Sequence, residues 1–100
     1  MVYEMAQIEV IRGKERDFEA GVSQALALFT RARGCRGVEL HRQIEQPDRY
    51  ILIVQWKTIE DHTVLFRESA DFQEWRRLVG SFFVKPPIVE HFEVVLGPDR

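Results

Sequence analysis

The sequence of 100 residues is poor in several features that mark particular classes of protein. It has one cysteine, Cys35, so it can form neither an internal disulfide nor a cysteine-based metal site. It has no apolar run near the roughly 20 residues that span a bilayer. Its first ten residues include two glutamates where a signal peptide carries basic residues. These absences predict a cytoplasmic protein with no membrane partner.

An excess of positive charge is also lacking. Fourteen Lys and Arg residues face sixteen Asp and Glu residues, and the formal net charge is −2. Because nucleic-acid binding needs a basic surface, we expect no nucleic-acid partner. The densest basic cluster lies at residues 31–36, where a helix end explains it. No phosphate-loop or metal-binding motif is present, and the three histidines lack ligand spacing, so we predict neither a metal nor a cofactor.

What the sequence has is a regular succession of strand-like and helix-like segments. Its length predicts one domain over residues 1–100, folded over 1–96 with a loose tail at 97–100. Alternating apolar residues predict strands over residues 2–11, 35–44, 50–56 and 88–95. Turn residues 46–49 join the second and third strands into a hairpin. Pro86 and Pro87 end the last helical segment.

Two helical regions separate these strands. The first ends at Gly34. Its apolar stripe has spacings of four, four and three and consists of Phe18, Val22, Leu26 and Phe29. The second spans residues 58–68 and begins at Thr58 with Asp61 three residues later, which resembles a capping box. Ser69 predicts a break and a new helical segment, whose stripe is Phe72, Trp75, Val79 and Phe82.

This order predicts the ferredoxin-like split βαββαβ fold of the α+β class. It has a four-stranded antiparallel sheet with both helices on one face. The third strand, residues 50–56, is apolar on both faces apart from Gln55. Its second face therefore needs a cover that the helices do not supply. We expect a homodimer that packs the two sheets face to face.

The chain resembles the antibiotic biosynthesis monooxygenase family over nearly its whole length. The resemblance lies in GKERDFEA at the first helix, the aliphatic strand that ends in Trp56, FRESADF, and the last strand PPIVEHFEV. It implies a dimeric α+β barrel with a cavity between sheet and helices in each subunit. In cofactor-free monooxygenases and heme-degrading enzymes of the family, the site uses an Asn on an early strand, the strand-end Trp, and a helical His followed by a Ser and an aromatic. Here Trp56, Ser69 and Phe72 match, Phe66 takes the His position, and the chain has no Asn.

Two histidines are the candidates for proton transfer, because their ordinary pKa lies near neutral pH. His62 shares an inward stripe with Ile59 and Phe66, and His91 lies on the last strand with Glu93 on the same face. Each is either a catalytic residue of the cavity or a hydrogen-bonded core histidine. The third histidine, His41, lies on the polar side of the second strand and is the weakest candidate.

Aromatic residues of the second helical region and the strand end are either core or substrate-binding residues. The four predicted to bind a small hydrophobic or aromatic ligand are Trp56, Phe66, Phe72 and Trp75. The leading hypothesis is a cofactor-independent monooxygenase that uses His62 or His91. The alternatives are a non-catalytic ligand-binding or assembly module of the same fold and, last, a heme-binding or heme-degrading protein.

Overall fold

The computed structural model describes residues 1–98 as a four-stranded antiparallel sheet with its helices on one face. The strands are β1 (Val2–Glu9), β2 (Cys35–Arg42), β3 (Arg49–Trp56) and β4 (Ile88–Phe92). The helices are α1 (Glu15–Thr30), a π-helix (Asp61–Phe66), α2 (Ala70–Val79) and a 3₁₀-helix (Gly80–Phe82). The strand order β2-β3-β1-β4 is that of the ferredoxin-like fold, so the predicted fold class is confirmed.

Several predicted strands are longer than the observed ones. β2 ends at Arg42, and Ile44 lies almost fully exposed in the hairpin turn. β4 ends at Phe92, which leaves Val94 and Val95 exposed beyond the sheet. Alternation alone extended both strands too far, since apolar residues continue past the last paired position. The tail predicted at 97–100 falls partly outside the described residues.

The sheet has one buried face and one open face. Residues of even number on β1 and β3 face the helices and form the floor of the core: Ala6, Ile8, Tyr50, Leu52, Val54 and Trp56. On the open face, Ile51, Ile88 and Phe92 are between 39% and 47% exposed. The predicted two-sided strand thus has an uncovered apolar side in the single chain.

Helix α1 packs on the sheet through a stripe that differs by one residue from the predicted one. Phe18, Val22 and Phe29 are buried as predicted, but Leu26 is exposed and Leu28 takes the inward place. Arg31, at the end of α1, donates two hydrogen bonds of 2.8 and 2.7 Å to Asp71 at the start of α2. This partly exposed ion pair joins the end of α1 to the start of α2.

The second helical region begins with the capping box that the sequence predicted. The Thr58 backbone N–H donates to Asp61 Oδ2, and the Asp61 N–H donates to Thr58 Oγ1, each at 3.2 Å. The segment that follows is a π-helix, where an ordinary α-helix was expected. The predicted stripe is wrong at Ile59, which lies before the π-helix and is 40% exposed, while His62 is buried. The break at Ser69 is confirmed: its side chain accepts the Phe72 N–H at 3.1 Å and caps α2.

Gly34 lies directly against Asp61, the first residue of the π-helix. Its φ of +81° is in the left-handed region, and an added Cβ would clash with the Asp61 carboxylate. Its carbonyl also accepts a 2.7 Å hydrogen bond from the Lys57 N–H, just after β3. The absence of a side chain at residue 34 therefore lets the capping Asp61 sit against the start of β2.

We expect Gly34→Ala to destabilise the protein by about 2–3 kcal/mol, because the alanine meets both an unfavourable φ and the Asp61 carboxylate. Urea unfolding followed by far-UV circular dichroism measures this loss. The matched control is Gly80→Ala, since Gly80 has φ −60° and no atom within 4 Å of an added Cβ. Equal stability of the two variants would contradict this account of Gly34.

Candidate functional site

A cavity of about 580 Å³ lies between the helix-facing side of the sheet and α2. Its floor is the inward side of β1, with Glu4, Ala6 and Ile8 in a row. One wall comes from α2, and the other from the segment that leads into β4. The cavity is lined mainly by apolar side chains, among them Leu52, Phe72, Trp75, Phe83, Pro87 and Val89. Its size and lining are those of a small-molecule site.

Glu4 is the one carboxylate in the lining of this cavity, and it is 5% exposed. Its Oε1 accepts a 3.0 Å hydrogen bond from Trp56 Nε1 and lies 3.3 Å from His62 Nε2. Within residues 1–98 no hydrogen bond to Oε2 is found, and no fully buried side-chain polar atom lacks a partner. Oε2 is therefore the oxygen that opens toward the cavity.

Burial raises the pKa of Glu4 from 4.5 to about 7. The hydrogen bond from Trp56 and the positive charge of Arg67 lower that pKa, but they offset only part of the desolvation. A carboxyl group with this pKa changes its charge near neutral pH. It is the kind of group that serves as a general base or acid in an enzyme.

His62 connects Glu4 to the last strand. Its Nδ1 lies 2.8 Å from Nε2 of His91, and its ring stacks on Trp56 with centroids 5.4 Å apart and planes 13° apart. Burial, with the charge of Arg67, lowers the pKa of His62 to about 4. Burial and Arg67 also lower the pKa of His91. Both imidazoles are therefore neutral near pH 7, while the carboxyl group is the one that titrates.

The register of the sheet brings these groups together. Glu4 on β1 lies opposite His91 on β4, and both side chains lie on the helix face. His91 is half-buried and is not part of the cavity lining. The expectation that Glu93 is its same-face neighbour is wrong, because β4 ends at Phe92 and Glu93 is exposed. The partner of His91 is His62.

The structure divides the predicted aromatic site residues into two groups. Phe72 and Trp75 line the cavity together with His62. Trp56 and Phe66 are 0% and 4% exposed and lie in the core instead, with ring centroids 5.5 Å apart. Trp56 thus contacts the site through its N–H and through its stack on His62, while Phe66 packs behind it.

Sequence reasoning missed two residues of the site, Glu4 and Arg67. The signal for Glu4 was present: it has the same parity as Ala6 and Ile8, so it is a carboxyl group on the apolar side of β1. Arg67 follows the π-helix at once and lines the cavity near Glu4 and both histidines, whose pKa values its charge lowers. Its position depends on the turn geometry of the π-helix, so no pattern of spacing identified it.

Comparison with known proteins places this site in a family. The sequence profile of the antibiotic biosynthesis monooxygenase family matches residues 1–78. The chain belongs to that family. A crystal structure from Bordetella bronchiseptica that carries the same family name is 60% identical, with a TM-score of 0.93 over 95% of this chain and 97% of the other.

Two further relatives extend the comparison. The uncharacterized protein YczJ of Bacillus subtilis is 38% identical over 95% of this chain and the whole of its own length. A mutant of SnoaB, a cofactor-independent oxygenase from Streptomyces nogalater, has a TM-score of 0.83 at 17% identity, covering 96% of this chain and 94% of that one. At this low identity the likeness to SnoaB concerns the fold alone.

The polar side chains of the site are Glu4 on the first strand and His62 in the π-helix, one turn before Phe66. The Asn that the resemblance implied on an early strand is absent from the chain. Among residues 1–98 no group of three side chains is placed to hold a metal ion. No helix in the same range is long and apolar enough to cross a membrane. The cytoplasmic location stays a prediction.

The raised pKa of Glu4 has a consequence for stability. Ionised Glu4 in the folded protein costs about 3 kcal/mol relative to the unfolded chain, a cost that is absent below pH 4.5 and complete above pH 7. We therefore expect the unfolding free energy of Glu4→Gln, minus that of the wild type, to increase as the pH rises from 4.5 to 7. Urea titrations across this range measure the difference.

The difference from the wild type is the informative quantity, because burial lowers the pKa of His62 in both proteins and this effect acts in the opposite direction between pH 4 and 6.5. Glu93→Gln is the matched control, since Glu93 is exposed. A pH-independent difference for Glu4→Gln would mean that Glu4 ionises normally in the folded state.

Proposed function

We propose that this protein is a cofactor-independent oxygenase of small hydrophobic or aromatic molecules, in which Glu4 is the general base. The observation that carries the proposal is a carboxyl group in an apolar cavity, with one oxygen open to that cavity and a pKa near 7. Membership in the antibiotic biosynthesis monooxygenase family supports an oxygenase over other uses of such a base.

The chemistry requires a substrate with an acidic C–H or O–H group. Glu4 Oε2 removes this proton and leaves an electron-rich anion that reacts with dioxygen directly. For a methylene substrate, one oxygen atom becomes the new carbonyl group and the other leaves as water, formed with the second methylene hydrogen and with one proton from solvent that replaces the proton taken by Glu4. Arg67 lies at the same end of the cavity and is the candidate group to stabilise the substrate anion.

His62 and His91 complete the proposal as a route by which Glu4 returns its proton to solvent. After the protonated carboxyl group turns about its Cγ–Cδ bond, it donates to His62 Nε2, His62 Nδ1 donates to His91 Nε2, and His91 Nδ1 releases a proton outward. Each imidazole gains one proton and loses one, so neither becomes a cation. This agrees with their lowered pKa values.

The heme-binding alternative is less well supported by the residues present. Phe66 takes the position at which the resemblance implied the histidine, and both ring nitrogens of His62 are engaged, one near Glu4 and one with His91. We therefore assign no step to heme. Unchanged heme absorbance on titration of the purified protein with hemin is the expected result.

Oxygen uptake with a panel of hydroquinones and anthrone-like phenols tests the proposal. Glu4→Gln keeps the shape of the side chain and an acceptor for Trp56 but cannot take a proton, so we expect turnover to fall by about 10²–10⁴-fold. In the wild type, kcat/KM should rise with pH to a plateau with a midpoint near 7, because the carboxylate is the active form. His62→Ala and His91→Ala should lower kcat, and imidazole in the buffer should partly restore the His91→Ala activity.

The control is Glu93→Gln, since Glu93 is exposed and lies beyond the end of β4. Full turnover by Glu4→Gln would overturn the assigned base. No turnover by the wild type on any member of the panel would favour the non-catalytic binding module of the same fold.

The proposal includes a homodimer. Its support is the apolar open face of the sheet, where Ile51 and Ile88 lie opposite the same residue of β1, Gln7, and Phe92 lies opposite Tyr3. A second copy of this face, related by a two-fold axis, would cover these side chains.

Light scattering should therefore give twice the chain mass of 11.8 kDa. Ile51→Lys combined with Phe92→Lys should shift the particle toward the single-chain mass, because the charges would be buried without partners. Ile44→Lys is the control, since Ile44 is exposed in the hairpin turn and off the sheet face. A wild type of single-chain mass in dilute buffer would remove the dimer from the proposal.

A further inference from the structure

The cavity carries an unusual balance of charge for this acidic chain. Its lining includes three cations, Arg67, Arg76 and Lys85, against the single carboxyl group of Glu4. Among residues 1–98 the ion pairs are made by other basic side chains, and none uses these three. The net charge of the whole chain is −2, so the positive charge is local to the cavity.

The three cations are spread along the cavity. Arg67 lies at the Glu4 end, where its charge acts on the titratable groups. Arg76 projects from the cavity face of α2, one turn after Phe72 and one turn before Gly80. Lys85 lies at the opposite end, because the neighbouring Val84 N–H donates at 2.8 Å to the carbonyl of Glu9, beyond the last floor residue.

The length of the floor sets the distance between the two ends. Glu4 and Ile8 are four residues apart on one strand, which is about 13 Å at the usual rise of an extended chain. Between them the surface is apolar: Ala6 and Leu52 below, Phe72 and Trp75 above. The cavity thus has a proton-transfer group at one end, an apolar middle, and unpaired cations toward the other end.

We infer that the ligand of this cavity is an anion with a hydrophobic body, and that Arg76 and Lys85 bind its carboxylate or phosphate group while the body reaches toward Glu4. Arg76 and Lys85 are exposed and therefore hydrated, and a neutral hydrophobic ligand offers them no acceptor in place of water. An anionic group replaces that water with charge-assisted hydrogen bonds, and the local positive field attracts it into the cavity. The inference rests on the proposed use of this cavity for a small molecule.

Calorimetric titration of the full chain with 2-naphthoate, 2-naphthyl phosphate and the neutral 2-naphthamide tests the inference. We expect at least one of the two anions to bind at least tenfold more tightly than the amide, and the preference to weaken as salt is added. The comparison of naphthoate with naphthyl phosphate tells which anionic group the site takes. Arg76→Gln combined with Lys85→Gln should abolish the preference while leaving the binding of the amide unchanged.

Arg77→Gln is the matched control, because Arg77 is the neighbour of Arg76 on α2 but pairs with Glu74 and does not line the cavity. Retained preference in the double variant, equal affinity for amide and anions, or no binding of any probe would overturn the inference. Turnover of neutral substrates without any preference for anions would overturn it while leaving the proposed oxygenase intact. Tight anion binding without oxygen uptake on any substrate would support the inference and overturn the proposed oxygenase.

Discussion

The hydrogen bond from the indole of Trp56 to the carboxyl group of Glu4 joins the core of this protein to its cavity. A carboxyl group that is 5% exposed in an apolar setting is unfavourable when ionised, and a buried indole N–H needs an acceptor. The hydrogen bond gives the carboxyl group a donor and the indole N–H an acceptor. Both lie on the helix face of neighbouring strands, β1 and β3, so the pairing is set by the sheet. Because the hydrogen bond uses one carboxylate oxygen only, the other is left for the cavity.

The position of His62 against this pair depends on the local geometry of one short segment. The capping box of Thr58 and Asp61 starts the helical turn, Gly34 admits the Asp61 side chain, and the wide π-turn brings His62 over Trp56. π-Turns are often found at functional sites, and this one places the imidazole between a carboxyl group and a second imidazole. The last residue of this π-helix, Phe66, packs in the core with its ring 5.0 Å from that of Phe29.

The sequence was sufficient to predict the fold, because alternation, capping residues and turn residues are local signals that agreed with one another. It placed Phe72, Trp75 and His62 near the cavity because helical spacing fixes which residues share a face. It predicted that Trp56 lines the cavity, whereas the structure buries that ring entirely in the core. How deeply a side chain is buried depends on the packing of elements that are distant in the sequence. His62 and His91 are 29 residues apart in the sequence. Their contact depends on the π-turn at His62 and on the register of β4 against β1, and no local sequence pattern encodes either. Glu4 could have been found from its parity on β1, and Arg67 could not.

The electrostatics of the site reverse the roles that residue type alone suggests. Histidine is the usual group with a pKa near neutral pH, but here desolvation lowers the pKa of both imidazoles and raises that of the carboxyl group into the same range. The positive charge of Arg67 acts in one direction on all three, favouring ionised Glu4 and neutral histidines. The state in which Glu4 is a carboxylate and both imidazoles are neutral is therefore the one that the surroundings favour once the pH exceeds about 7. In that state the oxygen open to the cavity is basic, and the histidines can accept and pass on a proton without holding a charge in the core. Arg67 is thus the cation that acts on the proton-transfer groups, while Arg76 and Lys85 line other parts of the same cavity.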